Sequence, residues 1–119
     1  MRLVTKRIHA FLDYPVAAGL ILFPFLLGLG SSNHFALFLS VGAGIAALIL
    51  TLFTDHDLGL IRIIPYRIHL LVDLIVGMVF ILAPFILGFK GMDAYYYWIM
   101  GGTVLTVVTL LNNPEFAYS

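Results

Sequence analysis

Four long stretches without a charged residue constrain the fold of this 119-residue chain most strongly. They cover residues 14–33, 35–54, 74–89 and 94–114. An α-helix rises about 1.5 Å per residue, so about 20 apolar residues cross the roughly 30 Å hydrocarbon core of a bilayer. The third stretch reaches that length only if its helix begins near Ile68. The sequence therefore predicts four transmembrane helices.

The composition agrees with a membrane protein. Hydrophobic residues make up 62% of the chain and charged residues only 10%, which is too little polar surface for a soluble domain of this size. The apolar stretches are continuous and lack the alternation of a transmembrane barrel, so we expect an all-α bundle. With no cysteine, the chain has neither a disulfide framework nor a thiolate metal site. It has no basic stripe of the kind that binds nucleic acid.

The basic residues predict the orientation. Five of the six precede the first helix or lie between the second and third, and the sixth lies between the third and fourth. The positive-inside rule then puts both termini in the cytoplasm. We expect four of these cations to contact lipid headgroups on that side, namely Arg2, Arg7, Arg62 and Arg67.

The chain contains an internal repeat with an offset of 60 residues. Residues 2–29 align with 62–89 without a gap, and 12 of the 28 pairs are identical. The downstream halves match weakly, so we divide a single transmembrane domain, 1–119, into repeat one, 2–55, and repeat two, 62–115. Each repeat contains two spans and enters the membrane in the same direction. The sequence thus predicts two parallel-oriented helical hairpins related by an axis along the membrane normal.

Each repeat carries a proline and a glycine near the end of its first helix. Pro24 and Gly28 match Pro84 and Gly88. A proline inside a helix removes a hydrogen bond and bends the chain, and glycine is common just past a helix C-terminus. These residues predict a kink followed by a turn on the outer side. At the outer end of the fourth helix, Tyr95, Tyr96, Tyr97 and Trp98 are typical of an interfacial aromatic belt.

Any chemistry is expected at a histidine and an aspartate that each repeat places four residues apart. His9 and Asp13 match His69 and Asp73, and the spacing puts each pair on one helical face. Ionisable groups at this depth usually face the bundle interior and pair with one another. The repeat predicts that the two pairs lie at the same level and converge.

Three interpretations of this polar cluster remain open from the sequence. The first is structural, with polar side chains that tie helices together. The second is a site for Zn²⁺, Fe²⁺ or Mn²⁺, which suit two histidines and two carboxylates, or for a b-type haem held by His9 and His69. The third is proton or ion movement, although the helices offer few polar groups beyond Asp13 and Asp73.

The segments "FPFLLG" and "APFILG", each followed by a polar turn and a second glycine-bearing helix, resemble the SPW repeat family of small bacterial and archaeal membrane proteins. Phe23 and Ala83 stand where the signature has serine, and Phe25 and Phe85 where it has tryptophan. The resemblance implies an inner-membrane location and a four-helix fold. It implies no activity and no catalytic residues.

We therefore expect a non-enzymatic structural or assembly module of the inner membrane, without a cofactor. The alternative is a metal- or haem-binding protein, with a redox or transport role, that uses the four His/Asp residues. The sequence also predicts self-association through the glycine-bearing faces of helices two and four, which carry Gly42, Gly44, Gly101 and Gly102.

Overall fold

The computed structural model describes residues 6–54, 61 and 63–111. Apart from one isolated bridge, the regular structure in this part of the chain is helical, which confirms the all-α class. The four helices, in chain order, are α1 (Lys6–Leu26), α2 (Phe35–Phe53), α3 (Tyr66–Leu87) and α4 (Met92–Leu105). A π-helical segment, Thr106–Leu111, continues α4.

Successive helices pack as two hairpins, α1 against α2 and α3 against α4. Each hairpin contains a glycine where the backbones approach closely. A Cβ atom on Gly44 would lie 2.9 Å from the carbonyl oxygen of Ala17, and one on Gly101 would lie 2.9 Å from that of Gly77. Both contacts are too short for a side chain, so glycine permits the close helix crossing in each hairpin.

Two helices, α2 and α3, are long and apolar enough to cross a membrane. Only 22% and 28% of their most apolar windows is buried inside the protein, so neither resembles the core helix of a soluble domain. The apolar part of α1, Phe11–Leu26, is shorter. Large hydrophobic side chains are exposed along these helices, including Leu26 at 76% and Ile86 at 73%. This surface fits a lipid environment.

The repeated proline and glycine residues shape equivalent turns. Gly28 and Gly88 follow α1 and α3 with positive φ angles of 66° and 71°, which glycine adopts without strain. The next residue then bonds back to the proline: the N–H of Leu29 donates to the Pro24 carbonyl at 2.9 Å, and Phe89 does the same to Pro84. Both prolines lie inside their helices, near the last turn. We call this end of the molecule, with residues 27–34 and 88–91, the loop end.

At the opposite end, the described residues just before α3 bond to the end of α2. The N–H groups of Ile63 and Ile64 donate to the carbonyl of Phe53 at 3.0 and 2.8 Å. The C-cap residue Thr54 is extended, with φ −83° and ψ 145°, and pairs with Ile64 in the isolated bridge. This arrangement brings the buried Thr54 side chain against the start of α3.

The tyrosines near the start of α4 differ from the predicted aromatic belt. Tyr95 is exposed at 61%, but Tyr96 and Tyr97 are buried at 5% and 0%. The Tyr97 hydroxyl donates to the carbonyl of Ala36 at 2.6 Å, and the Tyr96 hydroxyl lies 2.7 Å from Ser40 Oγ. Consecutive residues on a helix point in different directions, so part of this cluster packs inward and joins α4 to α2.

Candidate functional site

All four predicted residues of the polar cluster come together near the N-terminal ends of α1 and α3. Their side chains alternate around a closed circuit that we call the His/Asp ring. His9 Nε2 lies 3.1 Å from Asp13 Oδ1 and 2.9 Å from Asp73 Oδ2. His69 Nε2 lies 3.0 Å from Asp13 Oδ2 and 3.2 Å from Asp73 Oδ2. Each histidine therefore contacts the aspartate of its own repeat and that of the other repeat.

The ring faces the interior of the bundle. The side chains of His9 and His69 are 2% and 1% exposed, and those of Asp13 and Asp73 are 14% and 18% exposed. Because α1 and α3 supply one pair each, the four-residue spacing on each helix turns both members of a pair toward the other helix. Ionisable groups held away from water require partners of opposite charge, and the ring supplies them.

Thr54 determines which nitrogen of His69 carries a proton. The Thr54 hydroxyl lies 2.5 Å from the carbonyl oxygen of Leu50, which can only accept, and 2.7 Å from His69 Nδ1. Both bonds form when the hydroxyl donates to Leu50 and the histidine Nδ1–H donates to the hydroxyl oxygen. His69 then faces the aspartates with Nε2, and the bond from Nδ1 to Thr54 holds the imidazole in this orientation.

His9 has a different environment on its outer side. Its Nδ1 atom is buried and makes no hydrogen bond with any residue that the structure describes. The imidazole of His9 makes an edge-to-face contact with the Tyr66 ring, with centroids 5.7 Å apart, and another with the imidazole of His69 at 5.5 Å. Tyr66, which is 1% exposed, thus closes one side of the His/Asp ring with an aromatic face.

The ring forms one wall of a cavity of about 240 Å³ between the helices. All four helices and the π-helical segment contribute to the cavity, and most of its lining is apolar. Examples of the apolar lining are Leu12, Val16, Ala47, Val76 and Val104. Thr51 and Thr103 add hydroxyl groups to the wall. The four ionisable side chains therefore adjoin a space in which little else is polar.

The geometry bears on the two kinds of cofactor that the sequence allowed. The ligand atoms of the four side chains all lie within 4.8 Å of one another, a grouping that a single metal ion can occupy. A bis-histidine haem needs its flat macrocycle between the imidazoles. Here the carboxylates of Asp13 and Asp73 each lie within 3.2 Å of both histidines and take up that space.

A second polar group joins the repeats at the loop end, and sequence reasoning missed it. Asp93 in the first turn of α4 is fully buried and accepts from the N–H groups of Gly30 and Ser32 at 2.9 and 3.0 Å. It also accepts from the Ser32 hydroxyl at 2.5 Å. We call Asp93 with these two partners the loop clamp.

The loop clamp involves a position that the two repeats share. Asn33 stands 60 residues before Asp93, at the equivalent position. The Asn33 amide donates to the carbonyl of Leu87 in repeat two at 2.9 Å, whereas Asp93 binds the loop of repeat one. Each repeat therefore contacts the other from the same aligned position, which lies just before α2 in repeat one and in the first turn of α4 in repeat two.

The predicted headgroup contacts fall mostly outside the part of the chain that the structure describes. Arg2 and Arg62 lie outside it, as does the side chain of Arg7. Arg67 is exposed in the first turn of α3, one residue from the buried Tyr66. Its position at the ring end of the bundle is compatible with a headgroup contact.

The fold and the site together define an all-helical membrane protein with a buried His/Asp ring. The family model of the SPW repeat domain matches residues 7–112, nearly the whole chain. The chain therefore belongs to the SPW repeat family, as its sequence predicted. The comparison with curated proteins gives no significant match, and neither does the comparison with solved structures.

Proposed function

We propose that this protein is a non-catalytic structural module of the membrane, in which polar contacts between two helical hairpins make one four-helix unit. The observation that carries the proposal is the use of the buried polar side chains. His9, His69 and Asp93 each bond to the opposite repeat. Ser40 of α2 likewise joins the carbonyl of Leu20 and the hydroxyl of Tyr96.

These contacts support a scaffold because they cover both ends of the bundle. The His/Asp ring fastens α1 to α3, and the loop clamp fastens the loop after α1 to α4. The outer surface of the described helices is largely apolar and suits lipid. A polar interior that links helices beneath an apolar exterior is the expected design of a membrane-embedded structural unit.

The experiment that tests the scaffold measures coupling between the repeats in the intact protein. A double-mutant cycle on His9→Ala and Asp73→Ala, read as unfolding free energy in detergent micelles, should give a coupling energy of about 1 kcal/mol or more. The matched control is a cycle between Asp73→Ala and Ser31→Ala, because Ser31 is an exposed residue of the loop end. Additive effects in the ring cycle would contradict the proposal.

The proposed topology is four membrane spans with parallel-oriented repeats and both termini in the cytoplasm of a bacterial or archaeal cell. Support comes from the basic residues that precede α1 or lie in sequence between α2 and α3, and from family membership. The chain has no cysteine, so in a single-cysteine variant the introduced residue is the thiol that a maleimide labels. In intact cells an impermeant maleimide should label Ser31→Cys, and should label Ile63→Cys only after permeabilisation. The reverse pattern would overturn the proposed orientation.

Assembly would involve a second copy of the chain. Gly42 and Gly102 occupy equivalent positions of the two repeats, and a Cβ on either would meet nothing within 4 Å. Gly44 and Gly101, in contrast, are used inside the protein. Oxidative crosslinking in native membranes should give dimers with Gly42→Cys and Gly102→Cys but not with Ile86→Cys, an exposed position of α3. Equal crosslinking at all three positions would count against self-association through these faces.

A further inference from the structure

We propose that the His/Asp ring binds one divalent transition-metal ion between the two repeats. The inference rests on the proposed four-helix unit, because His9 and Asp13 come from α1 while His69 and Asp73 come from α3. Two imidazole nitrogens and two carboxylates are a ligand set for Zn²⁺, Fe²⁺ or Mn²⁺.

The separations between the side chains agree with a shared ion. Two ligand atoms that each lie about 2.0–2.2 Å from a metal are about 2.8–3.6 Å apart for angles between 90° and tetrahedral. The four neighbouring pairs around the ring are 2.9, 3.0, 3.1 and 3.2 Å apart, with Asp13 facing His9 through Oδ1 and His69 through Oδ2. Both histidines face the two carboxylates with Nε2, and the ligand atoms of all four residues lie within 4.8 Å of one another.

The tautomer of His69 indicates that positive charge belongs inside the ring. Since Nδ1 donates its proton to Thr54, a neutral His69 has only a lone pair on Nε2, and this atom lies 3.0 and 3.2 Å from carboxylate oxygens. Lone pairs facing each other at that distance repel. Either a proton or a cation must lie between them. A Nδ1–H bond to a neighbouring oxygen is also the usual support of a metal-bound histidine.

Protons alone leave part of the ring unsatisfied. Asp13 Oδ2 is buried and lies 3.0 Å from His69 Nε2, yet it makes no hydrogen bond of acceptable geometry with any described residue. Each Nε2 has two carboxylate oxygens as neighbours. A protonated Nε2 has one N–H group, which can point directly at only one of them. An ion at the centre would contact all four side chains together, including the unsatisfied Asp13 oxygen.

The cavity beside the ring leaves room for a further ligand of the ion. It measures about 240 Å³ and is lined by the four ring residues and mainly apolar side chains. A volume of this size holds a water molecule or another small ligand. The Tyr66 ring covers His9 on another side, so the site is partly closed.

Metal analysis of the full-length protein tests the inference. The protein is purified in detergent with a tag that contains no histidine, after growth with added Zn²⁺, Fe²⁺ or Mn²⁺, and its metal is measured by mass spectrometry. We expect about one ion per chain. The Asp13→Asn and Asp73→Asn variants keep the side-chain shape and should bind the ion at least about tenfold more weakly. Asp93→Asn, a buried aspartate outside the ring, should bind it normally.

Cobalt provides a second measurement that needs no variant to fold. Titration of metal-free wild-type protein with Co²⁺ should give a visible absorption band that saturates at about one equivalent and is displaced by Zn²⁺. Absence of both Co²⁺ and Zn²⁺ binding by folded wild-type protein would overturn the inference. So would binding that Asp13→Asn and Asp73→Asn leave unchanged. The scaffold would survive that result if the double-mutant cycle still showed coupling between His9 and Asp73.

Discussion

The His/Asp ring and the loop clamp both use buried aspartates to join the repeats, but they satisfy the carboxylates differently. Asp93 accepts from backbone N–H groups and one hydroxyl, all of them neutral donors in the loop before α2. Asp13 and Asp73 face imidazole nitrogens that are themselves ionisable. The clamp is complete as it stands, whereas the ring requires a proton or a cation to balance its charge.

This difference separates a structural polar contact from one that can also do chemistry. A carboxylate saturated by fixed neutral donors keeps the same charge and geometry, so its role is to hold the loop on α4. A ring of four ionisable groups can change its proton or ion content while keeping the helices together. The first test of the comparison is therefore whether variants of the two regions respond differently to metal removal.

The largest effect is expected when the ring loses a carboxylate. Asp73 Oδ2 lies within 3.2 Å of both histidines. Asp73→Ala therefore removes two contacts and leaves one carboxylate to face two imidazoles. Breaking a buried ion pair by removing one partner costs about 3–5 kcal/mol. Unfolding in detergent micelles should show a loss of this size. A loss below that of the clamp variants would break the proposed ranking of the two regions.

The next effect is expected when the clamp loses its carboxylate. Asp93→Ala leaves the N–H groups of Gly30 and Ser32 without their acceptor, and the expected loss of unfolding free energy is about 2–4 kcal/mol. Asp93→Asn retains one acceptor oxygen and should lose less. Because neutral N–H and O–H donors already bond the carboxylate, the loss should be the same with and without a chelator. A chelator-dependent loss would erase the distinction between the clamp and the ring.

A smaller effect should isolate the support of His69. Thr54→Val removes the oxygen that accepts from His69 Nδ1 and should cost about 1–2 kcal/mol, since it strands a buried donor. Thr51→Val is the matched control, because Thr51 is also buried in α2 and bonds only to the carbonyl of Ala47 among the described residues. If both variants lose the same stability, the bond to His69 contributes nothing specific.

The sequence was sufficient to identify the members of the ring. The offset of 60 residues and the four-residue spacing depend only on chain order, and they gave His9, Asp13, His69 and Asp73 directly. What they did not give is the pairing. Contacts between repeats, at 2.9 and 3.0 Å, are as short as those within a repeat, because α1 and α3 face each other at this end. Such packing is a property of the folded bundle.

The contacts of other residues were not predicted from the sequence, and the reasons differ from residue to residue. Thr54 is the C-cap residue of α2, and its contact with His69 exists because the end of α2 lies against the start of α3. Tyr97 belongs to an aromatic group whose composition is typical of an interface, and only the rotation of α4 buries it. Asn33 and Asp93 share the repeat offset but are not identical, and they lie in the part of the repeats that matches weakly.

The smallest effect should resolve the clamp into its parts. The Ser32 hydroxyl donates to Asp93 at 2.5 Å and accepts from the N–H of Lys90 at 3.1 Å, whereas the Ser32 N–H holds Asp93 independently. Ser32→Ala therefore removes the bond from the hydroxyl to the carboxylate and leaves the backbone N–H donors in place. Because Ser32 is exposed to solvent, water can replace part of this interaction, and we expect a loss of about 1 kcal/mol.

Ser31→Ala is the control for this measurement, since Ser31 is an exposed neighbour whose side chain makes no hydrogen bond with the residues described. It should leave the unfolding free energy within about 0.5 kcal/mol of wild type. Of the two serines, Ser32 has the hydroxyl that bonds to Asp93 and to the N–H of Lys90, so the difference between the variants measures these two bonds together. Equal losses would mean that the backbone N–H groups alone hold Asp93. The loop would then hold Asp93 through main-chain donors alone, whereas the His/Asp ring at the other end consists of side chains only.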